Sequence, residues 1–455
     1  MSKILILGFP LPSGNDREIV QARNIRALQF VEALAGEGHE LIYAAKPQPH
    51  FDHRTNPPGV HHYVELDFTS MGWRFKLRSL IRKIQPVCLV TTDFFASYAA
   101  TFLNLEIPCW MDINGDPEAE KQAILHRQGM DRGVLSIPSI ESRVLRAGDR
   151  FSVASTPQRY ALIGKLGCVG RLNARTFAFP LVHSIPPAVV SFYRRRPQSP
   201  VPLIRGRWVK QGDFVLLWAG GYNAWTDVQT LFQGLSSAMK EDPAIRFVST
   251  GGPVVNDRPY QEFRRMVEQS PSRERFLFMD WIPRSELLQL YEESDCGISL
   301  DADCYETELG ARNRLLDMAG NGLLIIASEG PEISFHLARE GFGRLFRIGD
   351  ATGLSKRILE AAFLKKSGSL PPKEVLSGRA LGCFGVAPLS RPLVEWARDP
   401  TFSPDRRTIS RALRMKAALR GMLRDWRAGL WGVNFREPED LSAIPVQSDY
   451  GERER

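Results

Sequence analysis

The residues best suited to chemistry lie between Asp301 and Asp317, where an acidic run is followed by two arginines and a further carboxylate. Glu308 ends the acidic run, and Arg312 and Arg314 follow in the first turns of a predicted helix. A helix N-terminus with arginines beside it favours phosphate, and a carboxylate further along can accept hydrogen bonds from ribose hydroxyls. This pattern predicts a nucleotide-diphosphate site. The alternative interpretation is an ordinary strand–helix unit in which both arginines are solvated.

Apolar runs on both sides place this segment in a parallel sheet. Residues 296–300 before it and 323–327 after it are short apolar runs typical of buried strands, and the helix between them is predicted to begin at Leu309 and to end near Gly322. Parallel sheets bind ligands beyond the carboxyl ends of their strands, where helices begin. The two arginines therefore lie at the edge where a ligand is expected.

Two glycine-containing loops follow apolar runs that end at residues 219 and 250. The residues that could meet a ligand in these loops are Gly221, Tyr222, Asn223, Gly251 and Gly252. Glycines after a parallel strand let a ligand approach the backbone, although a tight turn explains each pair equally well. Together with the 307–310 loop, the two loops would line one edge of a cleft, and this convergence favours a nucleotide-sugar site.

The segment 281–295 resembles a run that family 4 glycosyltransferases carry as GWVP…EL…Y…AD. The matching residues are Trp281, Ile282, Pro283, Glu286, Leu287, Tyr291, Ser294 and Asp295. Residues 314–325 are similar to the K-x-x-E-x-x-A-x-G-x-P-V stretch of the same family, and the similarity extends in order over roughly residues 1–360. The resemblance implies a retaining enzyme that uses a nucleotide sugar and has two Rossmann-like domains, the GT-B fold.

The resemblance also implies roles for the residues of the second half. Asp317 would hold the ribose, Glu308 would contact the sugar hydroxyls as a catalytic residue, and Trp281 and Ile282 would border the base. Arg312, Arg314 and the helix N-terminus would hold the diphosphate. The loop and helix residues that complete this donor set are Leu309, Gly310 and Asn313.

Two departures from the family leave a second interpretation open. The family usually has two glutamates seven residues apart, whereas here the strict first position is Leu309 and the second is Asp317. The loop 220–227 also lacks the arginine and lysine that the family usually carries there. The alternative is therefore a catalytically inactive homologue that acts as a binding or scaffolding subunit. An epimerase would need a well-placed base, which the sequence does not reveal.

The first half alternates strand-like and helix-like runs and is expected to bind the acceptor. The candidate acceptor residues are Ser13, Gly14, Asn15 and Asn114, with Asp116 as a catalytic residue near the reacting carbon. A polar loop that caps the next helix is the alternative for Asn114 and Asp116. No dedicated protein base is required, because the leaving diphosphate can take the acceptor proton while the protein positions the groups and stabilises charge.

The predicted protein is of the α/β class, with a GT-B arrangement of two doubly wound domains facing across a cleft and a C-terminal helical tail. The predicted segments are an acceptor domain (1–190), a linker (191–212), a donor domain (213–385), helices that pack back on the first domain (386–436) and a flexible tail (437–455). The expected reaction transfers a sugar from a nucleotide-diphosphate sugar to a hydroxyl of a glycan or glycolipid, with retention of configuration.

Composition and charge restrict the other function classes. The 43% hydrophobic and 24% charged content is ordinary for a globular protein, and six scattered cysteines without a C-x-x-C pair favour buried thiols over a zinc site. The sequence shows neither a secretory signal nor a transmembrane run, so a cytoplasmic enzyme is expected. Neither a metal nor another cofactor is expected beside the nucleotide sugar, and no nucleic-acid recognition module is apparent.

The tail carries a separate signal. Eight basic residues and one acidic residue lie between 406 and 427, and apolar side chains recur on one predicted helical face. Those apolar residues are Met415, Leu419, Met422, Leu423, Trp426 and Leu430. Such a helix can pack on the first domain, and the alternative is that 406–430 contacts an anionic membrane surface peripherally.

Overall fold

The computed structural model describes residues 2–12, 18, 20–47, 56–103, 105–190, 201–252 and 258–406. Within these ranges the chain forms two parallel β-sheets with helices packed around them. The predicted α/β class with two doubly wound domains is confirmed.

The first sheet contains seven strands in the order β3-β2-β1-β4-β5-β6-β7. Its strands are β1 (Lys3–Gly8), β2 (Glu40–Ala45), β3 (His62–Glu65), β4 (Cys88–Thr91), β5 (Cys109–Ile113), β6 (Arg150–Val153) and β7 (Val182–Ser184). The five inner strands are the predicted apolar runs. β3 and β7 escape the sequence pattern because they are short edge strands with half-exposed residues.

The second sheet contains six strands in the order β10-β9-β8-β11-β12-β13. Its strands are β8 (Phe214–Trp218), β9 (Ile245–Ser249), β10 (Phe276–Phe278), β11 (Cys296–Ser299), β12 (Leu324–Ser328) and β13 (Gly343–Phe346). Every residue of β8, β11 and β12 is buried, as expected for a sheet covered on both faces.

Helices connect the strands and cover both faces of each sheet. In the first domain they are α1 (Ala22–Ala35), α2 (Trp73–Ile84), α3 (Phe94–Ala100), α4 (Pro117–Gln128), α5 (Ser136–Ala147) and α6 (Thr156–Cys168). In the second they are α7 (Val228–Glu241), α8 (Arg258–Glu268), α9 (Arg284–Glu293), α10 (Tyr305–Leu309), α11 (Asn313–Gly320), α12 (Glu332–Arg339), α13 (Ala351–Lys366) and α14 (Lys373–Phe384). Two more, α15 (Val386–Leu389) and α16 (Arg391–Arg398), follow.

The chain returns to the first domain after α14. Leu393 and Trp396 of α16 join the core beneath α1, where the Trp396 ring lies 5.4 Å from the ring of Trp110. The following segment is fixed by Arg171, whose Nε donates to Asp405 at 2.8 Å. Residues 407–455, which include most of the predicted basic helix, lie outside the described residues.

Each sheet reverses its strand order at one place. The reversal falls between β1 and β4 in the first sheet and between β8 and β11 in the second. At such a reversal the connections leave toward opposite faces of the sheet and open a crevice at the carboxyl ends of the two strands. The two crevices are therefore where the fold alone places ligands.

Candidate functional site

Arg314 lies at the crevice of the second sheet. Its Nη2 donates to the carbonyl of Gly221 at 2.6 Å, and its Cζ lies 4.4 Å from the ring of Trp218. Its Nη1 is buried and has no hydrogen-bond partner among the described residues. Burial lowers the pKa of Arg314 to about 10. The fold therefore holds a desolvated cation at a ligand-binding edge with one N–H edge unused, which is the arrangement that an anion would complete.

The two predicted glycine loops meet beside Arg314. Gly251 has a φ of +73°, and a Cβ added there would lie 2.4 Å from the carbonyl carbon of Gly220, so only glycine fits. A Cβ on Gly252 would lie 3.4 Å from Nε1 of Trp281, which is 38% exposed. The structure thus brings these loops and Trp281 to one edge, as the sequence pattern predicts.

Asp317 lies one helical turn beyond Arg314 on α11. Its Oδ2 accepts from the hydroxyl of Tyr291 at 2.6 Å and from Nη1 of Arg284 at 3.2 Å. Among the described residues, its Oδ1 has a single contact, at 3.4 Å with the side-chain amide of Asn321. Asp317 and the half-buried Asn313 also line a small cavity. One carboxylate oxygen is therefore held by the protein and the other retains hydrogen-bonding capacity.

Arg312 is engaged by two carboxylates of its own domain. Its Nε lies 2.8 Å from Asp301 and its Nη2 lies 2.6 Å from Glu306, and the Glu306 carboxylate is bound bidentately. These carboxylates raise the pKa of Arg312 despite its burial, while burial raises the pKa of Glu306 to about 8. Arg312 makes these contacts from outside the helix, and α11 begins at Asn313. The predicted helix start at Leu309 is therefore wrong.

The predicted acidic loop is mostly the short helix α10, which faces the first domain. Glu308 on it is exposed. The carbonyl of half-buried Leu309 accepts from the Ser155 hydroxyl at 2.7 Å across the domain boundary. A Cβ on buried Gly310 would lie 2.3 Å from Oε1 of Glu306, so this glycine lets the ion cluster pack against the backbone.

Further contacts join the two domains along the cleft. Nε of Arg127 on α4 donates to the carbonyl of Ala224 at 2.8 Å, and the backbone N–H of Thr156 donates to Glu332 at 2.7 Å. The residues at the two facing edges therefore lie within reach of one another, as a two-substrate site between domains requires.

Tyr222 is part of the core of the second domain. Its side chain is fully buried, its ring stacks on Trp218 at 4.8 Å, and its hydroxyl lies 2.7 Å from Ser249 Oγ. The aromatic cluster leaves none of the Tyr222 side chain accessible to a donor, and a contact between this loop and the donor stays a prediction. Asn223 in the same loop is half-buried, and Ile282 packs half-buried against the adjoining core.

Asp116 of the first domain is occupied by the protein itself. Its Oδ1 caps α4 by accepting from the backbone of Ala119 at 2.9 Å, and its Oδ2 lies 2.8 Å from Nζ of Lys165. Its contact with a substrate stays a prediction. Asn114 is half-buried after β5. The remaining acceptor candidates, Ser13, Gly14 and Asn15, lie outside the described residues.

Glu120 is a site residue that the sequence pattern did not reveal. Its carboxylate folds over Gly115, where an added Cβ would lie 2.3 Å from Oε1 and where φ is +87°. Burial raises the pKa of Glu120 to about 7, opposed by Arg23 and by Arg312 of the other domain and reinforced by Asp116. Glu120 therefore lies under the influence of cations from both domains. Its only sequence signal is a glycine five positions earlier, which is too common to single it out.

Replacing Glu120 with Gln should stabilise the protein above pH 7 by about 2 kcal/mol and have little effect at pH 4.5. A carboxylate whose folded pKa is raised loses stability as pH rises from its unfolded value through its folded value, and Gln does not titrate. Thermal and urea denaturation between pH 4.5 and 8 would measure the difference. Glu268→Gln, at a 67% exposed side chain, is the control and should give a flat difference. An equally flat difference for Glu120→Gln would show that its carboxylate is solvated.

The described part of the chain contains no group of three or more His, Cys, Asp or Glu side chains placed to hold a metal ion. All six cysteines are free thiols. Within the same part of the chain, no helix has both the length and the hydropathy needed to cross a membrane.

Two doubly wound domains, each with its crevice turned to a shared cleft, define the GT-B fold, and the resemblance drawn from the sequence is confirmed at this level. Sucrose-phosphate synthase from Thermosynechococcus elongatus superposes with a TM-score of 0.61 at 15% identity, over 88% of this chain and 98% of that chain. HepE from Anabaena, in complex with UDP and glucose, gives 0.63 at 12% identity, over 87% and 99%.

The trehalose-6-phosphate synthase OtsA superposes with a TM-score of 0.62 at 10% identity, over 88% of this chain and 100% of that chain. No family model matches the sequence, and no curated protein matches it either. At these identities the similarity establishes the fold, and the chemistry rests on the residues of the site.

Proposed function

We propose that the protein is a glycosyltransferase that moves a sugar from a nucleotide-diphosphate sugar to a hydroxyl of a glycan or glycolipid, with retention of configuration. The observation that carries the proposal is the buried Nη1 of Arg314, which has no partner among the described residues and lies where the second sheet reverses its order. A donor diphosphate supplies the anion that this group requires. The UDP-containing complex of HepE, which has the same fold, supports this choice.

The neighbouring residues fit the rest of a nucleotide sugar. Asp317 can accept ribose hydroxyls through Oδ1 while Tyr291 and Arg284 hold Oδ2 in place. Trp281 offers an exposed ring beside Gly252 for the base. Glu308, which is exposed on α10, would contact the sugar hydroxyls. The leaving diphosphate then takes the acceptor proton, while Arg314 stabilises its developing charge.

The second candidate function is a binding or scaffolding subunit without catalysis. It is favoured by Arg312, whose charge is balanced by Asp301 and Glu306 and is therefore unavailable to a diphosphate. The loop 220–227 supplies no cation in its place. Such a protein would bind nucleotide weakly or not at all. The membrane contact proposed for 406–430 applies to either function and concerns residues that lie almost entirely outside the described ranges.

Nucleotide binding separates the two functions. Thermal unfolding should be measured with UDP, GDP, TDP, ADP and CMP for the wild type and for Asp317→Asn, which preserves the shape of the side chain. A ligand bound only by the native state raises the unfolding midpoint by mass action. We expect one diphosphate to stabilise the wild type and to bind the variant about tenfold more weakly. Asp303→Asn, at an exposed position of the same domain, is the control.

Absence of a shift with every nucleotide would contradict the transferase proposal. A shift that Asp317→Asn leaves unchanged would retain the donor site and remove Asp317 from it. Catalysis is then tested directly by measuring hydrolysis of the corresponding nucleotide sugar through the release of its diphosphate.

A further inference from the structure

The crevice of the first sheet lies between β1 and β4 and is bordered by the residues that follow these two strands. A Cβ added to Gly8 at the end of β1 would lie 2.0 Å from Oγ1 of Thr92, so the ends of the two strands touch. Arg23 lies across them, with its Cζ 4.4 Å from the ring of Phe9 and 6.0 Å from the ring of Phe95. The crevice is therefore flanked by two aromatic rings and covered by one exposed guanidinium.

Asp93, directly after β4, is the polar group inside this crevice. Its Oδ1 caps α3 by accepting from the backbone N–H groups of Phe95 and Ala96 at 2.8 and 2.9 Å. Asp93 is only 6% exposed. Its Oδ2 is buried and has no hydrogen-bond partner among the described residues. A buried carboxylate oxygen that lacks a donor is costly, and native structures keep one where something else supplies the donor.

The charges around Asp93 restrict what that donor can be. Burial raises the pKa of Asp93 to about 6, reinforced by Asp112 and opposed by the capping amides and Arg23. Arg23 also opposes the raised pKa of Glu120, so one guanidinium serves both carboxylates. Asp112 is itself paired with Arg26 at 2.7 Å, which leaves Arg23 as the cation that faces Asp93 and Glu120. An additional anion here would therefore meet two carboxyl groups and one cation, whereas a hydroxyl would supply the missing hydrogen bond.

We propose that the β1/β4 crevice is the acceptor subsite and that Asp93 Oδ2 accepts a hydrogen bond from a hydroxyl of an uncharged sugar. This inference rests on the proposed function and specifies its acceptor as a neutral sugar end in place of a phosphorylated or acidic one. Arg23 at this crevice and Arg312 of the second domain both oppose the raised pKa of Glu120, so the two sides have this carboxyl group as a common neighbour. The aromatic rings of Phe9 and Phe95 offer apolar surface to the pyranose face.

Asp93→Asn separates a binding role from a structural one. Asparagine caps helices as well as aspartate does, so the α3 cap is kept. The variant also removes a carboxylate that the fold penalises once the pH exceeds its unfolded pKa. We therefore expect its unfolding midpoint to exceed that of the wild type by roughly 4 to 8 °C above pH 6 and to equal it below pH 4. Asp350→Asn, which changes the cap of α13, is the matched control and should show no such gain.

Whereas the stability of Asp93→Asn should rise, its acceptor binding and its transfer activity should fall. Acceptor binding is measured by saturation-transfer difference NMR with methyl hexopyranosides and with hexose 6-phosphates, in the presence of UDP. Transfer is measured with UDP-glucose and the same acceptors. We expect the wild type to bind and use a neutral hexoside, and Asp93→Asn to lose at least about tenfold in both while its stabilisation by UDP is unchanged. Asp350→Asn should behave as the wild type.

Three results would overturn the acceptor subsite. They are a preference of the wild type for hexose phosphates, acceptor binding that Asp93→Asn leaves intact, and no binding of either acceptor class. A neutral hexoside that binds through Asp93, in a protein that none of the five nucleotides stabilises, would uphold the subsite and contradict the transferase. The two proposals can therefore fail separately.

Discussion

Replacing Arg314 with methionine is expected to weaken binding of the donor nucleotide roughly 10- to 100-fold, because hydrogen bonds to a charged group contribute about 1.5–3 kcal/mol. Nη1 of Arg314 is the buried donor without a partner at the crevice of the second sheet. A methionine thioether can still pack on the ring of Trp218, so the fold should persist. Isothermal titration with the nucleotide that stabilises the wild type, and kcat/KM for the nucleotide sugar, measure the loss.

Two further variants test whether the loss of nucleotide binding comes from the guanidinium group of Arg314. Arg314→Lys keeps the charge but cannot present two parallel N–H groups, so an intermediate affinity is expected. Arg339→Met, at a 69% exposed side chain on α12, removes a cation from the same domain and should leave binding unchanged. If Arg314→Met binds nucleotide as the wild type does, the buried guanidinium is a structural group and the proposed donor site is wrong.

The strands could be predicted from the sequence because burial on both faces leaves an uninterrupted apolar run, as in β8 and β12. The order of the strands within each sheet could not be predicted from the apolar pattern, since every such run looks alike. Edge strands such as β3 are only partly buried and carry no comparable signal. The converging loops at Gly221 and Gly251 could be predicted for a different reason: glycines after parallel strands have a limited set of uses.

The direction in which a side chain points could not be predicted. Arg312 and Arg314 are two positions apart, and the sequence predicts the same role for both. Arg312, however, is bound by Asp301 and Glu306, whereas Arg314 keeps an unused N–H edge. That difference depends on where α11 begins, and ion pairs set by the tertiary fold decide it. Asp93 and Glu120 escaped prediction for the same reason, because their importance lies in burial and in neighbours distant along the chain.

The second large effect is a loss of stability, which is expected when Arg312 is replaced. Arg312→Met is expected to destabilise the protein by about 3–5 kcal/mol, because it leaves the carboxylates of Asp301 and Glu306 buried without a cation. The expected loss should be smaller at pH 6 than at pH 9, because burial raises the pKa of Glu306 to about 8 and a proton on this carboxyl relieves the repulsion below that pH. Chemical denaturation at both pH values measures it. Arg344→Met, at a half-buried arginine on β13, is the control variant.

The triple variant Asp301→Asn, Glu306→Gln, Arg312→Met decides whether Arg312 also touches the donor. Replacing all members of a buried ion cluster leaves no uncompensated buried charge, so this variant should be less destabilised than Arg312→Met. If Arg312 acts only by joining α10 to α11, the triple variant binds the nucleotide with the affinity of the wild type. If Arg312 leaves its carboxylates to contact the diphosphate, affinity falls as it does in Arg314→Met. We expect the first result, because an incoming diphosphate would have to displace two carboxylates that already bind the guanidinium at 2.6 and 2.8 Å.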